Sequence, residues 1–383
     1  MRNFTYHNPT KIVFGKGEIA RLKNLVPANK KILLTYGGGS IKKNGVYDQV
    51  MAALKGRTIV EFSGIEPNPE YTTLMKAIEI VRKEKIEFLL AVGGGSVIDG
   101  TKFIAIGAPY KGDPWDFAGD QKAPQSALPL GCVLTLPATG SESNKGSVVS
   151  HKKLNDKQPI HSPLMFPVFA ILDPEVTFSL PKKQIANGIA DTFVHVIEQY
   201  LTFSVNAPLQ DRQAEAILKT LVDEAPRILA DKPDYDSRAT FMWCATQGLN
   251  GLIACGVPQD WATHLIGHQL TAFYGLDHAQ SLAVVLPRLM DMQREQKKEK
   301  LLQFGERIFG VDQGNEQTRI DTTIKKTEDF FRSLGMKSRL SEYGIDVHDA
   351  VKKIGGRFKE WGFKMGERGD VDAEKVGEIL QKC

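Results

Sequence analysis

Two short apolar strands, each running straight into three glycines and a serine, most limit what this chain can fold into. Residues 31–36 (KILLTY) lead into Gly37-Gly38-Gly39-Ser40, and residues 88–92 (FLLAV) into Gly93-Gly94-Gly95-Ser96. Helical patterns follow at 46–54 and 97–106, with another strand at 58–62 and another helix at 74–84. An unbroken apolar run marks a strand buried on both faces, and strands alternating with helices build a parallel sheet covered on both sides. Further strands are predicted at 11–14, 133–136 and 169–172, with an irregular surface excursion at 109–129.

In such a sheet ligands bind beyond the carboxyl ends of the strands, where both glycine runs fall. Glycine lets a phosphate approach the backbone, and the free N–H groups of a following helix favour an anion. One such run is an ordinary tight turn; two at equivalent positions point to a nucleotide. Neither has the G-x-G-x-x-G spacing or the Lys-Ser/Thr of a P-loop, so the sheet is Rossmann-like without the usual signature. The loop at 137–144 (PATGSESN) offers hydroxyls to a cofactor, or is simply a polar turn. Ser141 lacks the G-x-S-x-G elbow of a serine hydrolase.

The texture changes at Leu180-Pro181. Helical patterns fill 184–202, 211–229, 237–254, 259–273, 282–293, 298–309 and 316–334, with no clear strand candidate among them. The expected organisation is an α/β domain over 1–180 and an all-helical domain over 181–383. The helical half holds GIADTFVHVIEQY (188–200) and PQDWATHLIGHQLTAFYGLDH (258–278). Asp191 and His195 lie one helical turn apart on one face, among apolar neighbours that predict burial. A buried carboxylate and imidazole need partners. Alone such a pair reads as an ion pair or a core histidine. Four of the chain's eight histidines, His195, His264, His268 and His278, share these segments with Asp191, however. One carboxylate with two or three imidazoles suits zinc or ferrous iron. Spacing leaves open which histidines bind, since His264 and His268 share a helix face.

The remaining composition removes other classes. Net charge is +4 and the charges are spread, so nucleic acid is not an expected partner; the densest basic run, 293–300, alternates with glutamate. Four scattered cysteines form neither a disulfide framework nor a thiolate zinc site. Residues 1–8 do not read as a signal peptide, and no run is long enough for a membrane span, so the expected compartment is the cytoplasm.

The motifs GGGSVID (93–99), TLPATGSE (135–142), Asp191 to His195, and His264-x-x-x-His268 with His278 together resemble the iron-containing (group III) alcohol dehydrogenases. NPTKIVFGKG, TYGGGSIKK and VPQDWATHLIGHQLTA are similar to the branch of NADPH-dependent aldehyde reductases and butanol dehydrogenases. The resemblance covers nearly the whole chain. It implies a dehydroquinate synthase-like plan: a Rossmann-like sheet domain followed by a helical one. It assigns the metal, zinc or iron, to Asp191, His195, His264 and His278, and places His268 near the nicotinamide and substrate as the candidate proton donor. It makes Gly94, Gly95 and Ser96 the pyrophosphate cradle, with Asp99 just inside the helix. Thr135, Leu136, Thr139, Asn144 and Lys157 would line the ribose and nicotinamide, with Asn68 a weaker assignment.

Relatives that prefer NAD carry an acidic residue beside the adenosine ribose. Here Gly38, Gly39 and Ser40 stand there, with Lys42 and Lys43 alongside, which implies NADP(H). The implied reaction is reversible reduction of short- to medium-chain aldehydes to primary alcohols by a homodimer, whose N-terminal strands (residues 4–14) would pair. Alternatives are an NAD-dependent polyol or glycerol-type dehydrogenase of the same fold, a dehydroquinate synthase, and a non-enzymatic nucleotide- or metal-binding protein. Few cations flank Phe193, Trp261, Leu265 and Phe273, so an apolar aldehyde fits better than a phosphorylated acid.

Overall fold

A computed structural model describes residues 1–362 and 364–383. Eight strands occur among them: β1 (Lys11–Phe14), β2 (Ile32–Thr35), β3 (Ile59–Phe62), β4 (Phe88–Gly93), β5 (Leu130–Leu134), β6 (Gly146–His151), β7 (Asp156–His161) and β8 (Phe169–Leu172). Six of them form one parallel sheet in the order β1-β8-β5-β4-β2-β3. Every residue of β2, β4, β5 and β8 is buried, as their continuous apolar runs require. The chain passes from β2 out to β3 and then returns to the other side of β2 as β4. The order therefore reverses between β2 and β4, the crevice that open α/β sheets use for ligands. Both glycine runs lie at the carboxyl ends of these two strands.

Two details differ from expectation. β5 begins at Leu130 and ends at Leu134, so Thr135 and Leu136 lie beyond the strand. Gly131 belongs to it for a packing reason: a Cβ there would stand 2.3 Å from the Phe169 ring. The antiparallel pair β6·β7 was not anticipated. Its strands carry Ser, His, Lys, Asp and Gln, so no apolar alternation announced them.

Contacts between residues divide the chain into two compact units, and the division is not a single cut near 180. One unit comprises His7–Pro181 and Asp231–Asn250; the other comprises Met1–Tyr6, Lys182–Ala230 and Gly251–Cys383. The helix Tyr235–Gly248 joins the sheet unit because its side chains bond there. Arg238 Nη1 donates to the Thr177 carbonyl at 2.7 Å, and Thr246 Oγ1 to Glu142 at 2.6 Å. Conversely Arg2 N donates to the Gly256 carbonyl at 2.9 Å, which places the first residues with the helices.

In the helical unit, Lys182–Tyr200, Pro208–Ile228, Ala262–Tyr274, His278–Met292, Lys298–Phe309 and Glu316–Ser333 are the long helices. Lys182–Tyr200 is buried on nearly all sides from Ile185 onward, so its polar residues must find partners within the protein. Among the described residues no helix is long and apolar enough to cross a membrane.

Candidate metal and cofactor site

Asp191 and His195 project from the same face of Lys182–Tyr200 and are 4% and 5% exposed. His195 Nδ1 lies 3.6 Å from Asp191 Oδ1. His264, in the first turn of Ala262–Tyr274, brings Nε2 to 3.7 Å from that oxygen, and His278, the first residue of His278–Met292, does the same at 3.7 Å. One carboxylate oxygen thus faces ring nitrogens from three separate helices. The ligand atoms of Asp191, His195 and His264 all lie within 4.8 Å of one another.

His264 shows what the cluster is shaped for. Its Nδ1 bonds Glu198 Oε2, while its buried Nε2 has no hydrogen-bond partner. Burial alone would lower its pKa, yet the carboxylates of Glu198 and Asp191 hold it up at about 9. A positive charge is therefore favoured at this point, as a proton or as a cation. One carboxylate and three imidazoles around a buried point are a fitting donor set for a divalent metal such as zinc or iron.

His268 sits one turn beyond His264, also buried. Its ring lies 5.2 Å from that of His278 and edge-on to His264 at 6.3 Å. The geometry thus separates two histidines that spacing left equivalent: His264 Nε2 faces the carboxylate, and His268 flanks the cluster. Trp261, at φ 65° just before this helix, sets its indole against His195 and His264 at 6.2 and 5.3 Å.

In the sheet unit the glycine at 95 is demanded by proximity: a Cβ there would stand 2.4 Å from Thr139 Oγ1, and one at Gly94 would stand 3.0 Å from Leu136 Cβ. These residues open the helix Gly95–Gly107, so Gly94, Gly95, Leu136 and Thr139 are drawn together, and Thr135 N donates to the Gly93 carbonyl at 3.0 Å. Asn68, at φ 56°, receives the Lys157 ammonium on Oδ1 at 2.8 Å, and its N–H donates to Ser96 Oγ at 3.2 Å. Asn68, Ser96 and Lys157 are therefore contiguous. At the end of β2, a Cβ on Gly38 or Gly39 would meet nothing within 4 Å, and Ser40 is exposed.

Asp99 and Asn144 are already engaged inside the protein. Asp99 Oδ1 accepts from Ser141 Oγ at 2.6 Å and Oδ2 from Val148 N at 3.0 Å. Asn144 Oδ1 accepts from Lys102 Nζ at 3.0 Å and from Gly146 N at 3.0 Å. Both residues brace the loop that faces Gly95. Near Gly38–Ser40 there is also a carboxylate that the sequence reading did not place: Glu61, at 3.2 Å from Lys42 Nζ, bonds Tyr36 and Tyr47 as well.

The sequence model described as "Iron-containing alcohol dehydrogenase" matches residues 9–174, and "Fe-containing alcohol dehydrogenase family, C-terminal" matches 185–382. The chain belongs to the iron-containing alcohol dehydrogenase family. It is 54% identical over 385 residues to the NADPH-dependent aldehyde reductase YqhD of Escherichia coli (strain K12), which covers 100% of this chain and 99% of that one. It is 45% identical over 352 residues to the probable NADH-dependent butanol dehydrogenase 1 of Bacillus subtilis (strain 168), covering 90% and 91%. The crystal structure of E. coli K-12 YqhD is similar with a TM-score of 0.97 at 52% identity, covering 100% of this chain and 98% of that one.

In this member of the iron-containing alcohol dehydrogenases, three polar groups around the sites escaped the sequence reading. Glu198 follows His195 by three positions and Asp191 by seven, so helical spacing alone would have put it on their face. Lys102 is fully buried, donates to the carbonyls of Asn144 and Gly146 at 2.9 and 2.7 Å, and burial lowers its pKa to about 8. Lys297 is also buried. It bonds Asp260, the Leu201 carbonyl at 2.7 Å and Glu367 at 3.1 Å, tying the end of Lys182–Tyr200 to the residue just before Trp261. Neither lysine stands in a recognisable motif.

Proposed function

We propose that this chain reduces short- to medium-chain aldehydes to primary alcohols with NADPH at the Asp191–His195–His264–His278 centre. The observation that carries the reading is the approach of three imidazole nitrogens, from three helices, to within 3.6–3.7 Å of one carboxylate oxygen. When bound, a divalent cation supplies Lewis acidity to a carbonyl oxygen, and a reduced nicotinamide supplies the hydride. The four side chains hold the charge in place without redox chemistry of their own. Trp261 shields His195 and His264 on one side. The product oxygen needs a proton, and His268, whose ring lies 5.2 Å from that of His278, is the candidate donor.

The phosphates are assigned to Gly94, Gly95 and Ser96, where bare backbone opens a thirteen-residue helix. Thr135, Leu136, Thr139, Asn68 and Lys157 line the remainder, with Asp99 and Asn144 acting through the loop they brace. Gly38, Gly39 and Ser40 leave room for a 2′-phosphate, and Lys42 and Lys43 supply cations. Glu61 partly offsets Lys42, so the preference for NADPH rests on open space and on Lys43 as much as on Lys42. Relatives with either nucleotide in their names make this the point to measure first. The domains are read as a sheet half (1–180) and a helical half (181–383), with Met1–Tyr6 and Asp231–Asn250 exchanged between the two compact units. The protein is read as a cytoplasmic homodimer: Phe4, Tyr6 and Phe14 are 51%, 44% and 38% exposed, and β1 is an edge strand.

The test is purified protein with butanal and either NADPH or NADH, followed by the absorbance of the reduced nucleotide, alongside metal analysis. Turnover with NADPH at higher kcat/KM than with NADH, and about one metal per chain, is the expected result. A preference for NADH overturns the nucleotide assignment, turnover of glycerol in place of butanal returns the polyol-type reading, and no turnover with either nucleotide returns the non-enzymatic one.

A further inference from the structure

Ala262–Tyr274 lacks an ordinary start. The residue before it is Trp261, whose side chain makes no capping bond, yet the first N–H groups of a helix need acceptors. Two carboxylates supply them. Asp260 Oδ1 accepts from Ala262 N at 2.9 Å, and Glu198 Oε1 accepts from Thr263 N at 2.6 Å. The second oxygen of Glu198 faces His264 Nδ1. Glu198 is 2% exposed, so both of its oxygens are committed within the protein.

That double engagement fixes the chemistry of the ring. A backbone N–H can only donate, and an ionised carboxylate can only accept. His264 must therefore carry its proton on Nδ1 to satisfy Oε2, which directs Nε2 at Asp191 Oδ1, 3.7 Å away. Imidazoles that ligate metals are oriented and made more basic by such a carboxylate on the other nitrogen.

We propose that Glu198 is the positioning residue of the metal centre: it selects the tautomer of His264 that coordinates, and it couples that choice to the start of the helix carrying His264. The proposal rests on the reading of Asp191, His195, His264 and His278 as metal ligands.

Glu198→Gln separates this role from capping. A glutamine has one acceptor oxygen and one donor group. If the oxygen stays on Thr263 N, the cap survives, and the amide NH2 meets His264 Nδ1. The ring then has to present a lone pair at Nδ1 and carry its proton on Nε2, where it blocks coordination. The experiment measures zinc affinity by chelator competition for the native protein, Glu198→Gln and Glu198→Asp, with thermal unfolding of each after chelation. The expected result is a 10–100-fold weaker affinity in Glu198→Gln, with chelated unfolding temperatures close to native, and turnover recovered by excess zinc. Glu198→Asp keeps two acceptor oxygens but is one methylene too short to reach both Thr263 N and His264 Nδ1, so it should bind zinc more tightly than Glu198→Gln and measurably less tightly than the native protein. Equal zinc affinity in the native protein and Glu198→Gln overturns the proposal. Failure of the native protein itself to bind zinc or iron overturns the metal reading beneath it. Should Glu198→Gln not fold, Glu198→Asp with native affinity at lowered stability marks Glu198 as a cap alone, and also overturns the proposal.

Discussion

His264 and His268 lie one turn apart on one helix, yet different groups face them. Sequence spacing made them equivalent candidates, because it says which residues share a face and nothing about what lies opposite. The decision belongs to Asp191 and Glu198, contributed by another helix, which bracket the His264 ring from both nitrogens. The Asp191/His195 pair, by contrast, was legible in full, since both residues lie on one helix at a fixed period. Two predictions belong to this scale. Asp191→Asn replaces the shared charged oxygen by a neutral one, and metal content should fall at least tenfold with kcat falling in parallel, read by elemental analysis and turnover. His268→Ala should keep its metal but lose rate by about 10²-fold or more if it supplies the proton. Its pH–rate profile should also lose a limb. A native profile at full rate removes His268 from proton transfer.

Elements whose residues are buried on both faces declared themselves, and those that lean on one another did not. β2, β4 and β8 were readable as runs because every side chain is apolar and enclosed. β6 and β7 pair with each other, and their polar side chains carry no period that a reader could use. The first three residues of β5, Leu130 to Cys132, were hidden by Gly131, which sits in the strand because Phe169 occupies the space a side chain would take. The same close approach yields a test at Gly95. Gly95→Ala places a methyl 2.4 Å from Thr139 Oγ1, and a short branched side chain has little room to yield. The loop must retreat, so NADPH affinity should fall tenfold or more, by fluorescence titration, while metal content stays native. Unchanged NADPH affinity would remove Gly94–Ser96 from the phosphate site.

Across the whole chain, the sheet-then-helix plan was visible because strand patterns alternate with helical ones only up to residue 172, and helical patterns alone follow. The assignment of Tyr235–Gly248 to the sheet unit was not, since it depends on single bonds from Arg238 and Thr246 to distant residues. One pair in the helical unit illustrates how carboxylates contribute stability that acid removes. Arg288 Nη1 donates to Glu328 Oε2 at 2.8 Å; burial works to raise the Glu328 pKa, but the guanidinium holds it at about 2. The folded pKa lies below the unfolded value of about 4.3, so the pair's contribution is complete above that pH and fades as the pH falls toward 2. Denaturant titrations of native protein and Glu328→Gln should therefore differ by a constant amount above about pH 5, begin to close below about pH 4 and converge only near pH 2. A gap that stays constant with pH would assign Glu328 no electrostatic part.

All four proposed ligands come from the same compact unit, and none from His7–Pro181. Stripping the ion should consequently act as a selective solvent of one half of the molecule. Amide hydrogens along Lys182–Tyr200 and Ala262–Tyr274 should exchange faster, while those of the six-stranded sheet keep their protection.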